Sequence, residues 1–342
     1  MRTTVRAARE LIANTAGETL PGQLFADEVM RSVNSVVGFD GYCLFAVDPI
    51  TSLRCAMYSQ YGSEAPAQRH LRNETVENDL NRYIDLVRRP GHVGVLALRV
   101  APEPQSPRLH EILRPQGYES EVRLALVADG RYWGALVLFR DSRLHPFTDH
   151  DADVATELAD PLSAALRRHQ VRRSEVVRGI RRPGVVLVGR DGRLLEVSPE
   201  AHAWLDDLTS GGPAGVGAED ASRILLEVAA ATAGGRRDPI CRVRTRHGRW
   251  LVISGTKTPL AQLAVTLVIQ PADIGQCLPA FGAWCGLTRR ESEVLELVAG
   301  GLAAKQIARR LGLSVLTVNE HLRATYRKAG INGRDELLAL VT

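Results

Sequence analysis

Apolar residues recur at helical spacing through the C-terminal part of the chain, and cap residues divide them into four short helices. Thr288 followed three residues later by Glu291 is the capping-box signature of a helix start. Gly312 is placed to end the second helix in a left-handed conformation, and Ser314 to cap the third. Residues 287–342 are therefore predicted to be an all-α unit.

The third of these helices has two chemically different faces. Its apolar positions share one face, whereas Asn319, Arg323 and Arg327 recur every four residues on the other, flanked by Glu320. A polar, partly basic outer face is what a helix-turn-helix presents to the major groove of DNA. The fourth helix carries apolar residues that no other predicted helix covers, so we expect them to contact a partner. The predicted dimer interface consists of Leu337, Leu338 and Val341.

Helix-period and strand-period patterns alternate over residues 20–169. The clearest feature is a pair of apolar strands separated by Asp129-Gly130, a strong hairpin signal. The predicted elements in order are a helix at 24–37, strands at 42–47 and 53–58, a helix at 70–87, a weak strand at 92–100, strands at 121–128 and 133–139, and a long helix at 149–180.

A smaller unit is predicted from residue 184 to residue 270. Ser198 before Pro199 is a good helix start, because a serine cap and a proline at the first helical position both favour one. The predicted elements are strands at 184–188 and 194–197, a helix from 199, a second helix at 224–231, and strands at 239–245, 250–254 and 264–269.

The first order of elements resembles a GAF domain, whose last helix follows the signature Phe-Thr-x-x-Asp, present here as Phe147, Thr148 and Asp151. The second resembles a PAS domain, with the opening Asp-Gly-Arg-Leu-Leu-Glu-Val-Ser-Pro-Glu-Ala. The predicted fold is therefore multidomain. It comprises an α+β GAF-like sensor domain at 1–169, a basic connector helix at 170–183, a smaller α+β PAS-like domain at 184–272 and an all-α four-helix helix-turn-helix domain at 273–342.

The C-terminal unit is similar throughout to the LuxR/FixJ-type helix-turn-helix of bacterial response regulators. Its pattern Leu-Thr-x-Arg-Glu-x-Glu-Val-Leu occupies 287–295. Further matching positions are Gly301, Lys305, Ile307, Ala308, Leu311, Ser314, Thr317, Val318, His321, Lys328 and Arg334.

The resemblance implies a division of labour among the polar residues. Lys305, Thr317 and His321 would lie against DNA phosphate, and Arg327 on the outer face is predicted to join them. The predicted contacts to base edges are made by Asn319, Glu320 and Arg323, side chains suited to adenine, cytosine and guanine respectively.

Two departures from the family pattern affect this interpretation. The family usually has a lysine where Asn319 stands, which suggests an altered site. It has charged residues where Val315 and Leu316 stand, which suggests an interface.

Charge and composition agree with a soluble DNA-binding protein. The net charge is +4, and residues 287–342 hold nine lysines and arginines against six acidic residues. A single module of this charge would bind weakly, so the predicted partners are double-stranded DNA, a second copy of the chain as homodimer, and RNA polymerase. No apolar stretch is long enough to cross a bilayer and no secretory signal is present, so we expect a cytoplasmic bacterial protein without a membrane partner.

The segment between Arg167 and Arg193 is strongly basic, with nine arginines and two acidic residues. Two interpretations remain open: a solvated connector helix, and a coiled-coil signalling helix that pairs two protomers.

No enzymatic, cofactor or metal site is predicted. Val47-Asp48-Pro49 superficially resembles a phosphoacceptor, but no acidic pair lies upstream. Gly255-Thr256-Lys257-Thr258 lacks the glycine before lysine that a phosphate loop needs. The five cysteines have no C-x-x-C pair, as expected for reduced thiols. The histidines are isolated.

The signal that the protein senses is left open by the sequence. One hypothesis is a small, mostly apolar ligand bound between the sheet and helices of the GAF-like domain. The other is that the upstream domains are ligand-free interaction modules gated by a protein partner. The candidate pocket residues are Tyr42, Phe45, Tyr58, Tyr118, Trp133 and Phe139.

Overall fold

Two antiparallel sheets and a C-terminal group of helices make up the protein, as seen in a computed structural model of the 342-residue chain. The structure describes residues 2–18, 20, 22–60, 67–97, 105–171, 182–208, 217–245, 249–258 and 263–341. Within these ranges no helix is both long and apolar enough to span a membrane.

The first unit is a five-stranded sheet with helices on one face and shorter segments on the other. Its elements are α1 (Arg2–Thr15), α2 (Gly22–Asn34), β1 (Gly41–Val47), β2 (Arg54–Ser59), α3 (Ala67–Thr75), α4 (Tyr83–Leu86), β3 (Val93–Ala97), a π-helical turn (Leu109–Leu113) running into a 3₁₀ turn (Arg114–Gln116), β4 (Tyr118–Ala128), β5 (Arg131–Asp141), α5 (Asp149–Glu157) and α6 (Ala159–Val171). The strand order is β2-β1-β5-β4-β3.

The predicted hairpin is confirmed as β4 and β5. Asp129 and Gly130 at its tip have φ of 53° and 69°, the left-handed pair that a two-residue hairpin turn requires. At Gly134 on β5, φ is 155° and a Cβ would lie 2.0 Å from the Phe45 carbonyl oxygen. Only glycine therefore allows β1 and β5 to approach this closely.

Both faces of this sheet are covered, which explains why its strands are apolar without interruption. Every residue of β1 is buried. One face packs beneath α2 and α6, with Leu44 and Leu136 in a large core, and α1 packs against these two helices. The opposite face forms a small second core that includes Phe45, Val137 and Leu109.

The second unit repeats the strand arrangement of the first. Its elements are β6 (Gly184–Gly189), β7 (Leu194–Val197), α7 (Pro199–Leu208), α8 (Gly217–Ala233), β8 (Ile240–Arg244), β9 (Trp250–Lys257) and β10 (Leu263–Pro271). The order β7-β6-β10-β9-β8 is the same as in the first sheet when strands are counted within each unit. The predicted order of elements is confirmed.

A buried ion pair joins the two units. Asp48 has no exposed surface, and its Oδ2 lies 2.9 Å from Nη1 of Arg242 and accepts the Arg242 backbone N–H at 3.1 Å. Its Oδ1 accepts the N–H groups of the turn after β1, at Ile50 and Thr51. The residue that superficially resembled a phosphoacceptor thus holds a turn and an interdomain contact. Around it β2 packs near β8, and α3 packs against α8.

Five helices complete the chain: α9 (Ile274–Trp284), α10 (Arg289–Ala299), α11 (Ala304–Leu311), α12 (Val315–Ala329) and α13 (Arg334–Val341). The last four match the prediction, whereas α9 was missed. A local signal for it exists, because Asp273 and Gln276 form a capping box at its start.

Two predicted helices are wrong in extent. The segment 70–87 is interrupted after α3, since Asn81 adopts φ 55° and Asp79 accepts the Leu80 backbone N–H at 2.6 Å. The long helix from 149 breaks at Leu158 between α5 and α6, where Pro161 lacks an N–H and its ring disfavours a continuous helix. Most of the predicted connector helix at 170–183 lies outside the described residues.

Candidate nucleic-acid interface

Local caps define every boundary around α12. Ser314 Oγ accepts the Thr317 backbone N–H at 3.0 Å at its start, and Gly330 ends it in a left-handed conformation with φ 67°. Gly312 has φ 65° at the end of α11. Thr288 and Glu291 form the predicted capping box at α10. These predicted caps are confirmed.

The two faces of α12 separate as the pattern predicted. Val318 and Thr325 are fully buried, because this face packs against α10 and α11. On the opposite side Asn319, Glu320 and Arg323 are exposed. The base-contacting candidates thus form one accessible stripe.

Leu316 extends this stripe by one turn toward the start of α12. Its exposed fraction is 66%, large for a leucine in a folded domain, and the spacing 316, 319, 320, 323 keeps it on the same helical face. The stripe therefore has an apolar N-terminal end and a basic C-terminal end, where Arg327 is also exposed.

The phosphate-contact candidates differ in accessibility. Lys305 is exposed near the start of α11. Thr317 and His321 are half-buried, and the Thr317 hydroxyl lies 2.9 Å from the Ser314 hydroxyl at the helix cap.

A second set of contacts fixes α12 against α10. Lys328 Nζ lies 2.6 Å from Glu291 Oε2 and donates to the Gly286 carbonyl oxygen at 3.2 Å. Burial alone would raise the pKa of Glu291, but the hydrogen bonds from Lys328 and Thr288 outweigh it and hold that pKa below its usual value. The orientation of α12 is thus set by an ion pair that sequence patterns did not single out.

A cavity of about 40 Å³ lies in the first unit, on the face of the sheet opposite α1 and α2. One part of its wall is apolar, with Phe45, Met57 and Val137. Charged side chains and one imidazole also line it: Arg54, Arg108, Arg123, Arg223, Glu74, Glu121 and His70.

The six pocket candidates from the sequence do not meet at one site. Tyr42, Tyr58 and Trp133 belong to the core beneath the helices, and the Tyr42 hydroxyl donates to Asp27 at 2.6 Å. Phe45 and Phe139 line the cavity, with Tyr118 packed beside them. Arginines far apart in sequence also converge on this cavity, which the search for aromatic wall residues did not predict.

Comparison with known proteins assigns families to two of these parts. Residues 286–341 match the model of the bacterial regulatory proteins of the LuxR family, and residues 22–166 match the GAF domain model. The chain carries a GAF domain and a C-terminal LuxR-family domain.

Relatives of known description are regulators. The "Probable transcriptional regulatory protein SgaR" of Hyphomicrobium methylovorum is 32% identical over 114 residues, which cover 31% of this chain and 53% of that protein. The monoamine regulon transcriptional regulator of Klebsiella aerogenes is 37% identical over 81 residues, covering 24% of this chain and 32% of that protein. The matches thus span about half or less of these relatives.

Solved structures resemble the chain only distantly. Escherichia coli SdiA is 15% identical, covering 97% of this chain and 94% of that chain with a TM-score of 0.35. The GAF domain of a two-component sensor histidine kinase from Bacillus halodurans is 13% identical, covering 41% of this chain and 90% of that chain with a TM-score of 0.30.

The LuxR-family domain is attached to the GAF domain through the end of α9. Arg167 on α6 stacks over the Trp133 ring at 4.3 Å, lies 3.3 Å from Asp129, and donates from Nε to the Trp284 carbonyl oxygen at 3.2 Å. Trp284 in turn stacks on Trp250 of the second unit, with ring centroids 4.9 Å apart. Both upstream units therefore contact Trp284, which lies two residues before the LuxR-family domain.

The expected dimer contact at Leu337 is corrected by the structure. Leu337 is fully buried within the chain, where α13 packs against α9. The missed helix α9 supplies the surface that the amphipathic pattern left uncovered. The side chains of Leu338 and Val341 lie outside those described.

Proposed function

We propose that this protein is a transcriptional regulator whose LuxR-family domain binds a specific sequence of double-stranded DNA. The single observation that carries the proposal is the exposed stripe Leu316, Asn319, Glu320 and Arg323 on a helix capped at both ends. The N-terminal residues of a recognition helix contact base edges in the major groove, which is where this stripe begins.

Each residue of the stripe has a chemical role in this proposal. Asn319 pairs with adenine, Arg323 pairs with guanine in a bidentate contact, and Glu320 accepts from cytosine N4. The exposed Leu316 packs against a thymine methyl group, the apolar feature of the major groove. Lys305 and Arg327, both exposed, contact phosphate together with Thr317 and His321.

The protein acts as a homodimer in this proposal. Residues 287–342 have a small excess of positive charge, and one such domain supplies few phosphate contacts. Two copies on two half-sites roughly one or more helical turns apart would give the affinity that regulators need. RNA polymerase is the further partner that regulation of transcription requires.

The upstream units control DNA binding in this proposal. The second unit, whose strand order repeats that of the GAF domain, serves as a PAS-like module beside it. Arg167 and Trp250 both contact Trp284, so a structural change in either upstream unit would act on the chain just before α10. These contacts support transmission of a signal from the upstream units to the LuxR-family domain.

In vitro selection of random duplexes by the full-length protein tests the proposal. We expect one enriched motif with two related half-sites at fixed spacing. Enrichment without any common motif after repeated rounds would contradict sequence-specific binding. Enrichment of a single isolated half-site would contradict the dimer.

A further inference from the structure

Two side chains from different parts of the protein bind the short segment that joins α9 to α10. Arg167 on α6 of the GAF domain donates from Nε to the Trp284 carbonyl oxygen at 3.2 Å. Lys328 on α12 donates from Nζ to the Gly286 carbonyl oxygen, also at 3.2 Å. The GAF domain and the helix proposed to contact DNA are therefore connected through backbone groups that lie next to each other in the chain.

Arg167 also lies directly against Gly286. A Cβ at this glycine would be 3.1 Å from Arg167 Nη2, and the φ of 65° is in the left-handed region that favours glycine. One guanidinium thus contacts both Trp284 and Gly286. Because Gly286 is the first residue of the region that matches the LuxR-family model, a side chain of the GAF domain reaches the edge of the LuxR-family domain.

Backbone hydrogen bonds hold this segment in a fixed geometry. The N–H groups of residues 285–287 all donate to carbonyl oxygens of α9, at distances of 2.8 to 3.0 Å. The segment therefore continues the end of α9 without a free joint. A displacement of the Trp284 carbonyl moves Gly286 with it.

Lys328 connects this segment to the rest of the LuxR-family domain. An ammonium group has three donors, and that of Lys328 lies 2.6 Å from Glu291 Oε2 as well as bonding the Gly286 carbonyl. The Glu291 side chain is only 7% exposed, and its Oε2 also accepts the Thr288 N–H at 2.7 Å. The last turn of α12 is therefore connected at one point to the end of α9 and to the cap of α10.

The position of Lys328 along α12 determines what a displacement does to the exposed stripe. Lys328 lies in the last turn, and Asn319 is about 14 Å away along the helix axis at ~1.5 Å per residue. The helix is continuous between the two residues, so it moves as one rigid element. A shift of the last turn therefore reorients the stripe that includes Asn319 and Arg323.

We propose that Lys328 is a positioning residue, which makes the orientation of α12 depend on the position of Arg167 through the carbonyl groups of Trp284 and Gly286. The inference deepens the proposed function, on which it rests for its regulatory meaning. It names the route by which the GAF domain acts on the helix that contacts DNA.

A second route between the same parts runs through apolar packing. α9 packs against α6, α10 and α13, and a displacement of α9 that travels this way does not need Lys328. A double-mutant cycle separates the two routes. Two residues that act through one another have non-additive effects, whereas residues on separate routes have additive effects.

Hydrogen–deuterium exchange of the full-length protein without DNA measures this cycle. Arg167→Ala should speed exchange of the amides of residues 325–329, in the last turn of α12, about two- to tenfold, the factor that corresponds to one hydrogen bond. Lys328→Met keeps an apolar stem but removes the ammonium, and should itself speed exchange there. In the Lys328→Met background, Arg167→Ala should have no further effect on residues 325–329, while its effect at the end of α9 should remain.

Two results of this cycle would overturn the proposal. One is that Arg167→Ala leaves exchange in the last turn of α12 unchanged. The other is that Arg167→Ala speeds this exchange by the same factor with and without the Lys328 ammonium, because the effect would then travel through the packing of α9.

A matched background controls for the loss of charge. Arg309→Met removes an exposed positive charge from α11 of the same domain. In that background Arg167→Ala should keep its full effect on α12, and loss of the effect there would also overturn the role of Lys328. If Lys328→Met fails to fold because it leaves Glu291 unpaired, Lys328→Met combined with Glu291→Met serves as the background, since it removes both charges of the pair.

Failure of this inference is distinguishable from failure of the proposed function. Selection of a DNA motif by the unaltered protein reports on sequence-specific binding and does not depend on the route to Arg167. A protein that selects a motif but shows additive exchange effects retains the proposed function and loses only this coupling.

Discussion

Lys328 Nζ lies 2.6 Å from Glu291 Oε2, and this ion pair joins the last turn of α12 to the first turn of α10. The same carboxylate oxygen accepts the Thr288 backbone N–H at 2.7 Å. One buried side chain therefore completes a helix cap and orients the helix proposed to contact DNA.

Replacement of Glu291 by glutamine should loosen α10 and α12. Loss of a charge-assisted contact in a buried place costs about 1–3 kcal/mol, which corresponds to roughly 5- to 150-fold faster exchange of the protected amide hydrogens. Hydrogen–deuterium exchange of the full chain measures this directly. The exposed Glu296→Gln on the same helix is the control and should exchange as the wild type does.

The contribution of Glu291 should depend on pH in a defined direction. Because the pKa of Glu291 is lower in the folded protein than the value of about 4.3 for a free glutamate, its stabilisation is complete above that value. It is lost as pH falls through the lowered pKa. The difference between wild type and Glu291→Gln should therefore shrink under acid conditions, and a difference that grows there would contradict the ion pair.

Arg323 and Lys305 should differ in what they contribute to DNA binding. Arg323→Ala should cost about 1–3 kcal/mol on the selected operator and relax the preference for one base pair. Lys305→Ala should weaken binding to all DNA sequences equally and reduce the slope of log affinity against log salt by about 1. Fluorescence anisotropy over a salt series separates the two, and the same loss on every sequence from both variants would disprove base reading by Arg323.

Leu316 should recognise a thymine methyl group. Replacing single thymines of the operator by deoxyuridine removes that methyl without changing any hydrogen bond of the pair. One such replacement should weaken binding of the wild type several-fold, as expected for about 1 kcal/mol of apolar contact. The affinity of the Leu316→Ala variant should not change when that thymine is replaced. If the variant loses affinity but responds to deoxyuridine as the wild type does, Leu316 does not contact the methyl.

Arg167 should hold the start of the LuxR-family domain against the GAF domain. Arg167→Ala removes the hydrogen bond to the Trp284 carbonyl and the stacking on Trp133, so amides at the end of α9 should exchange faster. The neighbouring, exposed Arg168→Ala should have no effect. If amide exchange at the end of α9 is unchanged in both variants, Arg167 does not couple the two domains.

The parts of the fold that the sequence predicted depend on local chemistry. Helix ends are fixed by caps within a few residues, here Thr288, Ser314 and Gly312, and the hairpin is fixed by its own turn, Asp129-Gly130. Such local patterns can be identified without knowing the tertiary structure.

The parts that the sequence missed depend on residues far apart in the chain. Leu337 was predicted to face a partner because α9, which covers it, lies about fifty residues earlier and was not recognised. Arg54 on β2 and Arg123 on β4 are far apart in sequence, and only the packing of α8 against α3 adds Arg223 to the same cavity wall.

The most direct test of the central claim is the affinity of the full-length protein for its selected operator compared with a shuffled duplex of the same composition, at one fixed salt concentration. The account predicts that the operator binds at least ~10³-fold more tightly, the lower end of specific recognition by regulators. Equal affinity for the two duplexes would show that the exposed stripe on α12 does not read sequence.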